Sequence, residues 1–168
     1  MLKDARKDRP TVTTDGRLIR PQLAGVEVRE VHNIVTRNGV ATEVYRTDWN
    51  VDHPHVAQAL FVSLRGGAVS AWHCHEAQLD RIFVVQGSVK LVLFDDREGS
   101  STRGELNELF LDRARPSLVT VPPGIWHGLQ NLGSGDCAFL NFFDRLYDHA
   151  DPDEWRLPVD NDAIPYRF

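Results

Sequence analysis

GAVSAWHCHEAQLDRIFVVQG, residues 67–87, holds two short apolar runs joined by a polar turn and bounded by glycines. Each run is too short for a typical helix and is rich in β-branched and aromatic residues, so both read as strands. On a strand, alternate side chains share a face. His73 and His75 therefore point one way and Cys74 the other. Asp80 opens the second run, five residues after His75. A third histidine, His127, follows the turn PPGIW (122–126). Three imidazoles and a carboxylate converging inside an apolar β-fold make a divalent-metal site, with His73, His75, Asp80 and His127 as ligands. Gln78 is the alternative to Asp80, because a loop residue can swing inward. Neutral imidazole suits iron, manganese, nickel, zinc or copper, and the ligand types do not choose among them.

Working outward, the same grammar repeats. VEVREVHNIV and ATEVYRTDW alternate apolar and polar residues around an Asn-Gly turn at 38–39. ALFVSL, SVKLVLFD, NELFLD, SLVTVP, HGLQNLG and AFLNFFD are further short strands separated by Gly, Pro and Asp. No helical period appears before residue 145, and at most one helical turn is expected near Asp151–Trp155. Residues 1–20 are polar and basic and read as a flexible arm, leaving 21–168 as one domain with a C-terminal extension. The chain has 168 residues, which suits a single domain that needs no staples. Its net charge is −5, with no basic stripe, which argues against nucleic acid. Two cysteines do not make a secreted disulfide scaffold. No leader-like or membrane-length apolar run occurs, so a cytoplasmic protein with no membrane partner is expected.

Other histidines read differently. His53-Pro54-His55 is also a His-x-His, but it is broken by proline in a polar segment and reads as a solvent-facing loop. His32 and His149 read as surface residues. Cys74 reads as packing. Phe83, Leu91, Leu93 and Phe142 are candidates for an apolar wall around the site, and Trp72 and Trp126 each adjoin a ligand histidine.

Gly67, His73, His75, Asp80 and Gly87 resemble, in type and spacing, the first signature of the cupin superfamily, with Asp for the usual Glu. Pro122, Gly124, His127 and Asn131 resemble the second, with Pro116 for its leading glycine. The resemblance implies an all-β double-stranded β-helix, a jelly-roll barrel whose closed sheet carries the ligands at its mouth. The frame from about Val31 onward resembles more narrowly the dTDP-4-dehydrorhamnose 3,5-epimerase and sugar-isomerase family. NGVATEVYRTDW, LVLFDDREGSSTRGELNELFL, TVPPGIWHGLQNL and the tail DPDEWRLPVDNDAIPYRF carry that likeness.

This second resemblance implies a homodimer and a keto-sugar substrate, free or nucleotide-linked, with proton abstraction beside the carbonyl. The family's basic histidine falls on His73, its arginine on Ser70, its lysine on Asp80 and its tyrosine on Asn141. His73 and Asp80 are accordingly the candidate catalytic residues. A metal at His75 and Asp80 would then stabilise the enolate in place of the lysine and tyrosine. Three or four such ligands also suit an iron or manganese dioxygenase or lyase, and the fold also serves non-catalytic carbohydrate binding.

Overall fold

The computed structural model describes residues 5–8, 10–16, 19, 22–49 and 55–168. It contains β1 (Glu27–Glu30), β2 (Asn33–Thr36), β3 (Gly39–Thr42), β4 (Gln58–Leu64), β5 (Val69–Cys74) and β6 (Asp80–Gln86). There follow β7 (Ser88–Asp95), β8 (Leu106–Asp112), β9 (Ser117–Val121), β10 (Ile125–Asn131), β11 (Cys137–Phe143) and β12 (Trp155–Arg156). Five strands form one antiparallel sheet in the order β1-β9-β6-β11-β4, and five form a second in the order β12-β5-β10-β7-β8. Hairpin β2–β3 stands apart from both. This is the jelly-roll arrangement expected of a cupin. Among the described residues, however, the two sheets do not join into one hydrogen-bonded cylinder as expected; they face each other as a sandwich.

Alternation explains the strands. In β8, Asn107, Leu109 and Leu111 are buried while Glu108 and Phe110 face out. The inward sides of both sheets meet in one core that includes Ile82, Val84 and Phe139 from the first sheet and Leu91, Leu93 and Leu129 from the second. The hairpin turns over Arg37 and Asn38, with Gly39 starting β3 opposite Thr36. The strand expected over ATEVYRTDW ends early, at Thr42.

A smaller apolar cluster lies on the other side of the second sheet. Trp72 and Val92 are fully buried there against Ile164, with Leu157, Tyr166 and Phe168 of the tail packed on them. The ring of Trp72 lies 5.2 Å from that of Phe168 and 6.1 Å from that of Tyr166. The tail is thus a strap, anchored by the buried Ile164 and the partly buried Leu157, Tyr166 and Phe168. In place of the helical turn expected near Asp151–Trp155, it makes bends followed by β12, which pairs with β5 through Trp155↔Cys74 and Arg156↔His73. Trp72 is therefore core, facing away from the histidines. Among the described residues, no helix is long and apolar enough to cross a membrane. His53 lies outside the described residues, as does part of the expected N-terminal arm; His32, His55 and His149 are exposed.

Candidate active site

Two turns deliver the site. Gly124 (φ +80°) closes the turn ahead of β10 in a conformation that side chains rarely adopt, with the Arg97 stem against it. Gly128, next to His127, lets β10 approach β5: a Cβ there would meet the Ala71 Cβ at 2.5 Å. His127 then sits directly opposite His73 in the β10–β5 pairing. Two residues further along β10, Leu129 is opposite Ser70, three residues back on β5. This irregularity puts one extra residue on β5. It reverses the alternation, so Ser70 and His73 line the same cavity despite their odd spacing.

The three histidines converge. The His127 ring centroid is 5.8 Å from that of His73 and 5.7 Å from that of His75. Each ring commits Nδ1–H to a separate acceptor. His73 donates to Glu154 Oε1 at 2.9 Å, His127 to the Ile125 carbonyl at 3.2 Å, and His75 to the Asp153 carbonyl in a short contact. Such partners fix the ring orientation and leave Nε2 for chemistry.

Those Nε2 atoms have different surroundings. His73 Nε2 accepts from the Ser70 hydroxyl at 3.1 Å. His127 Nε2 and His75 Nε2 lie 3.3 Å and 3.5 Å from Asp80 Oδ2. The expected four-ligand set is thereby divided. His75, Asp80 and His127 offer ligand atoms within 4.8 Å of one another. His73 is outside that group; its Nδ1 bonds Glu154 and its Nε2 accepts from Ser70.

Asp80 is only 1 % exposed, so it is no surface ion pair with Arg81. Arg81 points to the opposite side of β6, over the Tyr45 ring and toward the His55 carbonyl. Asp80 also accepts from Gln78 Nε2 at 2.9 Å and from Asn141 Nδ2 at 3.3 Å. Gln78 thus joins Asp80 in the cluster.

The charges follow from these contacts. Burial would raise the Asp80 carboxyl, but hydrogen bonds from His127 and His75 outweigh it and hold Asp80 well below the usual carboxylate range. Burial would lower His75, yet Asp80 and the Asp153 carbonyl outweigh it and push His75 up to about 9. For His73, burial and then the neighbouring His127 win over Glu154 and hold the ring below its ordinary value. His73 is therefore the neutral imidazole at pH 7. Cys74 faces away, and its thiol is pushed up to about 11, first by burial and then by the charge of Asp153.

The cavity holds about 250 Å³. That is below the ~300–1,000 Å³ of drug-sized pockets, which suits one sugar ring better than a whole nucleotide. Its apolar wall comprises Leu60, Val62, Ile82, Leu129, Phe139 and Phe143. The expected wall residues fall elsewhere. Phe83 and Phe142 have the wrong parity on β6 and β11; Phe83 lies beside Val40 and Val44, and Phe142 stacks on Tyr45. Leu91 and Leu93 belong to the main core, and Trp126 packs on the Trp72 cluster.

Sequence reasoning missed Glu154 and Asp153. Both come from the acidic tail, whose likeness to the family's closing segment was the only pointer to them. Asp153 accepts the backbone N–H groups of Glu76, Ala77 and Gln78 at 2.8, 2.9 and 2.8 Å, which shapes the turn between His75 and Asp80. Replacing Asp153 by Ala should cost about 1–3 kcal/mol. The melting temperature should fall by several degrees, and a fall below ~1 °C would show that the turn holds without it.

The family described as dTDP-4-dehydrorhamnose 3,5-epimerase matches residues 20–164. The probable low-salt glycan biosynthesis epimerase Agl13 of Haloferax volcanii is 34 % identical over 141 residues, 83 % of this chain and 90 % of that protein. The spore coat polysaccharide biosynthesis protein SpsL of Bacillus subtilis is 32 % identical over 146 residues, 87 % of this chain and 96 % of that protein. A dTDP sugar isomerase from Desulfovibrio desulfuricans superposes with a TM-score of 0.77 at 26 % identity, covering 86 % of this chain and 90 % of its own. Ser70, His73, Asp80 and Asn141 all line one cavity. The match spans nearly the whole chain and includes the elements that build this cavity, so the chain belongs to the dTDP-4-dehydrorhamnose 3,5-epimerase family, a family of isomerases.

Proposed function

We propose that this enzyme epimerises a nucleotide-linked 4-keto sugar by removing a proton from the carbon beside the carbonyl, with His73 as the base. The observation that carries the reading is the His73–Glu154 pair, which opens with a neutral Nε2 onto a small apolar cavity. Nε2 takes the proton; the Nδ1–H bond to Glu154 stabilises the imidazolium that results. The developing enolate oxygen needs a donor, and the protonated ring of His75, beside Asp80 on the other side of the cavity, supplies one. Asn141 has no transferable proton. Among the described residues, Tyr147 is the one phenol lining the cavity, and it is the donor that returns a proton to the opposite face. The test is incubation with a dTDP-4-keto-6-deoxyhexose in deuterated buffer. Deuterium should enter at a carbon next to the carbonyl, and an unlabelled sugar after prolonged incubation would overturn the reading.

A divalent ion, standing in place of the ring protons that face Asp80, is a second reading, favoured by the donor spacing. Ligand atoms ~2.1 Å from a common ion stand ~3.0–3.4 Å apart, close to the 3.3 Å and 3.5 Å seen from Asp80 to the two imidazoles. His75, Asp80 and His127 would hold the ion, which would supply Lewis-acid polarisation of the carbonyl. Elemental analysis of protein purified without chelators should find about one iron, manganese, nickel or zinc per chain, and His75→Gln should lose most of it. Wild-type protein free of metal but active would leave the His75 ring as the donor. Two imidazoles and one carboxylate also form the donor set of non-haem iron oxygenases. Iron in the site together with oxygen uptake would favour that chemistry.

Residues 21–168 as one domain is supported by the family match and by the continuous core. A homodimer is supported by the edge of β4, which pairs with no further strand among the described residues and exposes Phe61, and by the exposed Val35 and Val40 of the hairpin.

A further inference from the structure

We propose that Asn141 sets substrate specificity: its Oδ1 accepts a hydrogen bond from a ring hydroxyl of the bound sugar. The inference rests on the sugar reading of the cavity given above. Asn141 lies on β11 between Leu60 of β4 and Ile82 of β6, on the cavity face with Phe139 and Phe143. It is 9 % exposed. Nδ2 donates to Asp80 Oδ2 at 3.3 Å. An ionised carboxylate only accepts, so the amide has one sensible orientation, nitrogen toward Asp80 and oxygen away from it. That oxygen is buried and has no hydrogen-bond partner among the described residues.

Buried carbonyl oxygens without a donor are rare, because each forfeits its hydration without return. The strand neighbours of Asn141, Leu60 and Ile82, and Phe139 and Phe143 on the same face of β11, carry no side-chain donor, and no donor elsewhere among the described residues bonds to its Oδ1. A ligand with an O–H at this depth would complete the bond. The keto oxygen of the substrate has no hydrogen and cannot do so, which separates this contact from the one that polarises the carbonyl. The partner is therefore a hydroxyl of the ring. A site built to hydrogen-bond a hydroxyl discriminates strongly against an analogue lacking it, because the protein group is then left unpaired.

The test uses calorimetric titration of dTDP-6-deoxyglucose, which has no keto group to react, and of its 2-, 3- and 4-deoxy forms. In the wild-type enzyme, the 2- or the 3-deoxy form should bind at least about tenfold more weakly than the parent, the others within about threefold. In Asn141→Leu, which keeps the bulk and removes the acceptor, the parent should weaken to the level of that deoxy form. Asn141→Ala provides the same comparison if the leucine does not fold. Equal binding of all four sugars by the wild type, a loss confined to the 4-deoxy form, or a gap that persists in the variants, overturns the proposal. Deuterium uptake decides the epimerase reading separately. A flat binding pattern with uptake intact sinks this inference alone, and absent uptake with the pattern intact sinks the epimerase chemistry alone.

Discussion

Replacing His73 with asparagine should lower deuterium uptake from solvent into a dTDP-4-keto-6-deoxyhexose by about 10²–10⁴-fold, with little change in sugar affinity. Asparagine can still donate toward Glu154 and keep the cavity filled, so the loss reports the missing base and not a collapsed site. Glu154→Gln should cost less, about 10–100-fold, since the base remains and only its partner is weakened. The pH profile separates the two roles. A base works when neutral, and burial holds His73 below its ordinary value. The rate of the wild-type enzyme should rise with pH through a point below 6.5 and then level off. Glu154 raises the His73 value, so removing its charge should move that acid limb to still lower pH. A His73→Asn enzyme that exchanges deuterium at the wild-type rate would exclude this residue as the base.

How far the site could be read beforehand differs between its halves. His73, His75, Asp80 and His127 were legible because the strand alternation and the turn signals are local. A two-residue spacing on a strand means one face wherever the strand ends up, and the three rings do meet. The division of labour among them was not legible. It depends on Glu154, 81 residues from His73, which arrives through two β12 residues paired with β5 and a tail anchored by Trp72. Nothing in the composition of an acidic tail says where it will dock. The shared face of Ser70 and His73 was hidden for a related reason: an irregularity in β5 exists only relative to the register of β10. The wall residues were misplaced by parity. Phe83 is as buried as Leu129, but Asp80 and Ile82 own the cavity face of β6.

Asp95→Asn should be the most destabilising of the substitutions considered, by about 3 kcal/mol, seen as a melting temperature about 6–12 °C lower. Asp95 ends β7 with none of its side chain exposed. Arg97 grips it twice, Nε to Oδ1 at 2.9 Å and Nη2 to Oδ2 at 2.8 Å. The Arg97 backbone N–H and the hydroxyls of Ser100 and Thr102 add three more bonds at 3.0, 2.6 and 2.7 Å. An amide fits this cage badly: its NH₂ would face donors, and Arg97 would keep its charge without a counterion. The damage would spread, because Arg97 Nη2 also holds the Ala24 carbonyl and Thr102 Oγ1 accepts the Ala24 N–H, docking the segment that buries Leu23 and Val26 in the core. Burial would raise the Asp95 carboxyl, but the bonds from Arg97, Ser100 and Thr102 outweigh it and hold it well below the usual range. Its contribution is thus fully present above the unfolded value near ~4 and is lost as pH falls below that point. Urea unfolding from pH 7 to pH 3 should therefore show the gap between wild type and Asp95→Asn narrowing on the acid side. A variant within ~0.5 kcal/mol of wild type at pH 7, or a gap that stays constant as pH falls, would mean that the cage does not hold this end of the sandwich together.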